Sequence, residues 1–136
     1  MPVSLAELQK GHEFAPVSFE LSAEWVAQYV AAVDDHAIAG LGADAVPPMA
    51  VAALSIRAML EHASLPPGTV HAGQELSFRR GARVGEVLEV SGRVVSRGER
   101  AGWVLMSVEM NVSGGSDGRM DGRATVSFPA QSEVAA

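Results

Sequence analysis

The chain has 136 residues, enough for one domain with a substantial core and too few for two independent ones. Ten Lys and Arg against sixteen Asp and Glu give a net charge of −6, which argues against nucleic acid and against an anionic membrane surface as partners. Without cysteine there is no disulfide, thiolate nucleophile or cysteine metal site, and four scattered His with no paired spacing predict no metal centre.

The N-terminal MPVSLAELQKGHEF lacks a basic region followed by an apolar run, so a soluble, cytoplasmic protein is expected. Leu5 and Leu8 support a short first turn that Gly11 stops. Phe14 and residues 17–21 read as a strand with Pro16 near its start, where a missing ladder N–H is tolerated. Val17, Phe19 and Leu21 alternate onto one face. Ser22 is an N-cap candidate and Glu24 suits the positive end of the helix that follows. Trp25, Val26, Tyr29, Val30 and Val33 recur at helical spacing and predict an amphipathic helix over 23–33. Asp34, Asp35 and His36 come next, and 37–46, with Gly40 and Gly42, reads as a loop.

Pro47 and Pro48 end that loop, and Pro48 suits the first helical position because its missing N–H would be unpaired there. Ten of the thirteen residues over 48–60 are apolar, and Arg57 is the one charge. A helix this apolar, from Pro48 to about His62, is expected to be buried on most sides without a solvated face. It falls short of the roughly 20 residues that cross a bilayer. Pro66, Pro67 and Gly68 prevent its continuation.

Four strands are predicted after it, over 70–78, 87–95, 103–112 and 119–128, joined by Gly-containing turns at 80–85, 97–102 and 114–118. Alternation is clearest in the third, where Val104, Met106, Val108, Met110 and Val112 share a face. In the first of the four, strict alternation puts His71 and Glu75 on one face and Gln74 on the other. Residues 130–136 read as a tail. The order of elements gives an α+β fold, a single domain in which one curved antiparallel sheet wraps the apolar helix.

Several segments carry a resemblance. They are Phe19-Glu-Leu-Ser22, Tyr29-Val-Ala-Ala-Val-Asp34, Val46-Pro-Pro-Met49, GTVHAGQELSFR from Gly68 to Arg79, Gly85-Glu-Val-Leu88 and Gly122-Arg-Ala-Thr-Val126. In this order and spacing the chain resembles the MaoC-like acyl hydratases and dehydratases of the hot-dog fold, in the half-size branch similar to fungal fatty-acid-synthase dehydratase units. The resemblance implies an acyl-CoA or acyl-carrier-protein thioester as substrate or ligand and no cofactor. It also implies a homodimer or a heterodimer with another hot-dog subunit.

Active relatives resemble one another in an Asp-x-Asn-Pro-x-His loop, whose acid–base pair manages the water added to or removed from a double bond. Here the spacing is altered: five positions after Asp34 is Ala39, five after Asp35 is Gly40, and no Asn-Pro is present. Asp35 and His36 are the catalytic candidates on this resemblance, either as a relocated pair or as a polar helix end. Active relatives also present a Gly N–H to the thioester oxygen at the start of the central helix. Pro48 has no N–H to give, which passes that role to Met49 or Ala50.

His71 is either a ligand contact, an interface residue or a half-exposed structural His. Arg79 and Arg80, with Arg83, are either a solvated strand edge or a landing place for the phosphates of coenzyme A or a pantetheine arm. The methionines are core filler or the lining of an acyl tunnel. The altered motif favours an acyl-thioester-binding subunit that is non-catalytic or dependent on a partner. The alternatives are a self-sufficient (R)-specific enoyl-CoA hydratase or 3-hydroxyacyl dehydratase and, third, an acyl-CoA thioesterase.

Overall fold

The computed structural model describes residues 3–33, 42 and 44–130. A two-residue strand β1 (Val3–Ser4) leads into a 3-10 turn (Leu5–Glu7) capped by the Ser4 hydroxyl, which accepts from Ala6 N–H. Leu5 and Leu8 are buried beneath it. Strand β2 (Glu13–Glu20) and helix α1 (Ala23–Val33) follow, with the Ser22 hydroxyl accepting from Trp25 N–H as the N-cap reading expected. After β3 (Ala45–Val46) comes the central helix α2 (Pro48–Met59), then β4 (Ala63–Ser64), β5 (Val70–Phe78), β6 (Ala82–Arg83), β7 (Val87–Arg100), β8 (Trp103–Gly114) and β9 (Asp117–Pro129).

Five of these strands form one antiparallel sheet in the order β2-β7-β8-β9-β5, so β2 and β5 are its edges. Its inner face is apolar: Leu88, Val90, Val94, Met106, Met120 and Phe128 have no exposed surface. Helix α2 lies against β2 and β7 and adds Ala50, Val51, Ala52, Leu54, Ala58 and Met59 to the same core. Buried Ser55 satisfies its hydroxyl on the Val51 carbonyl at 2.7 Å, one turn back. Gly92 on β7 makes the close approach possible, because a Cβ there would run into the Met59 terminal methyl and sit 3.1 Å from the Glu109 carbonyl. No helix among the described residues is long and apolar enough to cross a membrane.

Three departures from the sequence reading concern the central helix and β7. Helix α2 stops at Met59 and does not reach His62, because Glu61 and His62 N–H tighten onto Ala58 and Met59 carbonyls and the chain turns into β4, which pairs in parallel with β1. Strand β7 continues to Arg100, well past residue 95, because the turn to β8 needs only Ala101 (φ 53°) and Gly102 (φ 83°), the left-handed pair that matches hairpin twist. Finally, α2 keeps an open stripe. Met49 (52% exposed), Ala53, Arg57 and Leu60 (43% exposed) lie about one turn apart on the side the sheet does not reach. One sheet covers one side of a helix, and nothing else in this chain covers the other among the described residues.

Candidate functional site

Among the described residues two hollows flank α2, one toward each end. The larger, about 220 Å³, lies toward its C-terminal end. Helix α2 contributes Ile56 and Met59, β8 contributes Val108 and Met110, and β9 contributes Ala124 and Val126. The walls are otherwise almost wholly apolar, with Thr69, His71 and Gln74 the polar side chains. The Thr69 hydroxyl is committed to the Pro66 carbonyl.

His71 and Gln74 reach the same hollow because β5 carries a bulge. His71 pairs with Val126 and Gln74 with Ala124, but the register shifts between His71 and Gly73 and leaves Ala72 as the extra residue. One inserted residue reverses the facing of everything before it, so His71 joins Gln74 on the inner face and parts from Glu75. Strict alternation had separated the two. Gly73, an isolated glycine inside a strand pattern, is the signal that marks such a bulge.

The pair is hydrogen-bonded, His71 Nε2 to Gln74 Oε1 at 3.1 Å. Gln74 Nε2 donates to the backbone carbonyls of Glu75 (3.3 Å) and Arg123 (3.2 Å). His71 is exposed, so the pair sits at the mouth, while Phe14 and Met110 close the inner end.

The smaller hollow, about 180 Å³, lies at the first turn of α2 between Pro48, Val51, Phe78 and the Arg79–Arg80 corner. Ala50 is fully buried and its N–H bonds back to the Pro47 carbonyl at 2.9 Å. Met49 N–H has no backbone acceptor among the described residues. Of the two oxyanion candidates, Met49 is therefore the one whose donor is open among the described residues, at the positive end of the helix dipole. The β3–β6 pair, Ala45 with Arg83 and Val46 with Ala82, pins the entry of α2 to this corner.

The corner's charges are mutually compensated. Arg79 pairs with Asp121, Arg80 Nη1 with Asp117 Oδ2 at 2.8 Å, and Arg83 approaches Asp44 at 4.0 Å. Such exposed pairs are individually weak. Behind them lies a stronger pair that the sequence reading missed. Arg119 Nη2 donates to Glu86 Oε2 at 2.7 Å, and Arg119 Nη1 donates to Glu86 Oε1 (3.0 Å) and to the Gly81 carbonyl (3.1 Å). The Arg119 hydrogen bonds hold the Glu86 carboxyl below its ordinary value, with burial working the other way. The same bonds raise the Arg119 guanidinium.

The predicted binding residues thus fall at two places: Met49, Ala50, Arg79 and Arg80 toward the start of α2, and His71 toward its end. Asp34, Asp35 and His36 lie outside the described residues. Among the described residues, no cluster of three or more His, Asp and Glu is placed to hold a metal ion.

Residues 8–118 match the family model described as "FAS1-like, dehydratase domain region". The chain belongs to the FAS1-like dehydratase family. Solved structures agree on the fold of this FAS1-like dehydratase chain. A MaoC-like dehydratase from Rhodospirillum rubrum superposes with a TM-score of 0.74 at 19% identity, over 94% of this chain and 97% of that one. The HadBC (3R-hydroxyacyl-ACP dehydratase) complex from Mycobacterium tuberculosis gives 0.73 at 22% identity, covering 91% and 100%. The (R)-hydratase of A. caviae involved in PHA biosynthesis gives 0.70 at 23% identity, covering 90% and 98%. The sheet wrapped on α2 is therefore the hot-dog fold. A search of curated proteins returns no match in sequence.

Proposed function

We propose that this chain is an acyl-thioester-binding subunit of a hot-dog hydratase or dehydratase, and that it relies on a second hot-dog subunit for the acid–base pair. The observation that carries this reading is the apolar hollow beside α2, closed at its inner end and polar only at its mouth. That shape takes an aliphatic tail and leaves a polar thioester carrier outside.

The need for a partner is supported by the unfilled side of the fold. Among the described residues strand β5 is an edge without a partner, with Val70 and Phe78 exposed, and the Met49–Leu60 stripe of α2 is open. Joining two β5 edges about a two-fold axis normal to the sheet would set the two central helices antiparallel. The tail hollow of one subunit then lies toward the first helical turn of the other, where thioester chemistry is done in the active relatives. A partner that keeps the Asp-x-Asn-Pro-x-His loop would act on a tail held here. The HadBC (3R-hydroxyacyl-ACP dehydratase) structure is by its name a complex, which supports a hetero-pair.

The test follows the loss of conjugated-thioester absorbance from trans-2-octenoyl-CoA. The chain alone is expected to bind without turnover, and the chain with its co-purified hot-dog partner to hydrate the double bond. Steady turnover by the pure chain, abolished by Asp35→Ala with His36→Ala, would replace this reading with a self-sufficient hydratase. Release of free thiol would replace it with a thioesterase.

A further inference from the structure

The polar groups at the hollow's mouth are connected in one direction. Both acceptors facing the Gln74 amide nitrogen are backbone carbonyls, of Glu75 and Arg123, and neither can donate. The Gln74 NH2 group is therefore the donor there, and its Oε1 must point at His71. An amide oxygen only accepts, so His71 Nε2 carries the proton in this bond. In the neutral ring, that leaves Nδ1 with a free lone pair. Thr69, the remaining polar side chain of the wall, has its proton on Pro66 O.

We infer that Gln74 fixes His71 as the Nε2–H tautomer, so that His71 Nδ1 is the acceptor at the mouth and selects a 3-hydroxyacyl chain over a saturated one. This rests on the reading that the hollow holds an acyl tail. A thioester carrier is too large and polar to enter, so a tail that fills the hollow keeps its first few carbons at the mouth. A hydroxyl on C3 stands there and donates to Nδ1. A saturated chain leaves that lone pair to water. An enoyl chain likewise has no donor at C3, so the same nitrogen separates the hydrated from the dehydrated thioester. His71 is then a specificity-determining residue, and Gln74 the positioning residue that keeps its ring in one tautomer.

The experiment is isothermal titration of octanoyl-CoA and 3-hydroxyoctanoyl-CoA into the purified full chain and three variants. Wild type should bind the 3-hydroxy ligand about fivefold tighter, the size of one partly exposed hydrogen bond. His71→Ala and Gln74→Leu should level the two affinities. Ala124→Phe, which fills the hollow, should weaken both ligands together. Histidine 15N spectra supply a second readout: His71 should show the Nε2–H tautomer in wild type and a mixture in Gln74→Leu. Equal affinities in wild type, a preference that survives His71→Ala, or a wild-type Nδ1–H tautomer would overturn the inference while octanoyl-CoA binding stands. Failure of wild type to bind either ligand, or indifference to Ala124→Phe, would sink the acyl-tail reading itself.

Discussion

Arg119 is the charged side chain that the described core accepts, and Glu86 is what makes this tolerable. A buried guanidinium without a counter-ion costs several kcal/mol, and here both carboxylate oxygens and the Gly81 carbonyl meet it. The pair ties the start of β9 to the chain on both sides of β6, beside the first turn of α2. Because the folded Glu86 carboxyl lies below its ordinary value of 4.5, its stabilisation is complete above that value and drains away as pH falls through the folded one. Glu86→Gln should cost about 2–3 kcal/mol at neutral pH, less than a fully buried pair because Glu86 remains 30% exposed. That deficit should be smaller at an acidic pH below 4.5 than at neutral pH, because the stabilisation drains away as wild type takes up the proton. Urea titrations at the two pH values check it, and an equal deficit at both would contradict the pairing. Glu86 and Arg119 stand 33 positions apart, and no periodicity links them, so the pair was not legible in the sequence. His71 and Gln74 were legible as polar residues within a strand. Their shared facing was not, because it depends on where a single bulged residue falls.

The elements themselves were readable wherever burial imposes a period. The inner face of β8, Val104 to Val112 at every second residue, came directly from alternation, and α1 came from helical spacing with Ser22 at its cap. The two-residue strands β1, β3, β4 and β6 were not readable, since two residues carry no period, yet β3–β6 positions the entry of α2. The open stripe of α2 was hidden for a different reason. Apart from Arg57 its residues are as apolar as the buried ones, and composition cannot distinguish a face met by its own sheet from one left open. At this scale Gly92 is the sensitive point. Gly92→Val would push the Met59 methyl out of its place and toward the hollow that Met59 lines. A loss of about 1–3 kcal/mol is expected, a fall in Tm of roughly 4–12 °C, together with weaker octanoyl-CoA binding. An unchanged Tm by scanning calorimetry would mean that α2 does not rest on β7 as described.

Across the whole molecule the two faces of the sheet have opposite characters. On the outer face Glu75, Arg123, Glu109, Arg93 and Glu13 stand opposite one another in register, alternating in sign across all five strands. Such a row is at home in water and gives a second sheet nothing apolar to stack on across the middle of that face, the exposed Val87, Trp103 and Leu105 lying toward the strand ends. Association is therefore expected through the β5 edge and the α2 stripe. Met49→Glu with Leu60→Glu should reduce the native mass toward the 14.2 kDa of one chain without unfolding it, whereas Arg93→Glu should leave the mass unchanged. Native mass spectrometry separates the two. A curved sheet on one apolar helix was legible from that helix followed by four strands, and the hot-dog assignment came with the family resemblance. The site was legible only as a list of residues, since its hollow forms where segments distant in sequence meet. The most direct measurement is calorimetric titration of trans-2-octenoyl-CoA into the pure chain, which reads binding and turnover together. The account predicts a saturable heat at one site per chain that returns to baseline after each injection. A sustained heat flow proportional to protein concentration, or no saturable heat at all, would contradict it.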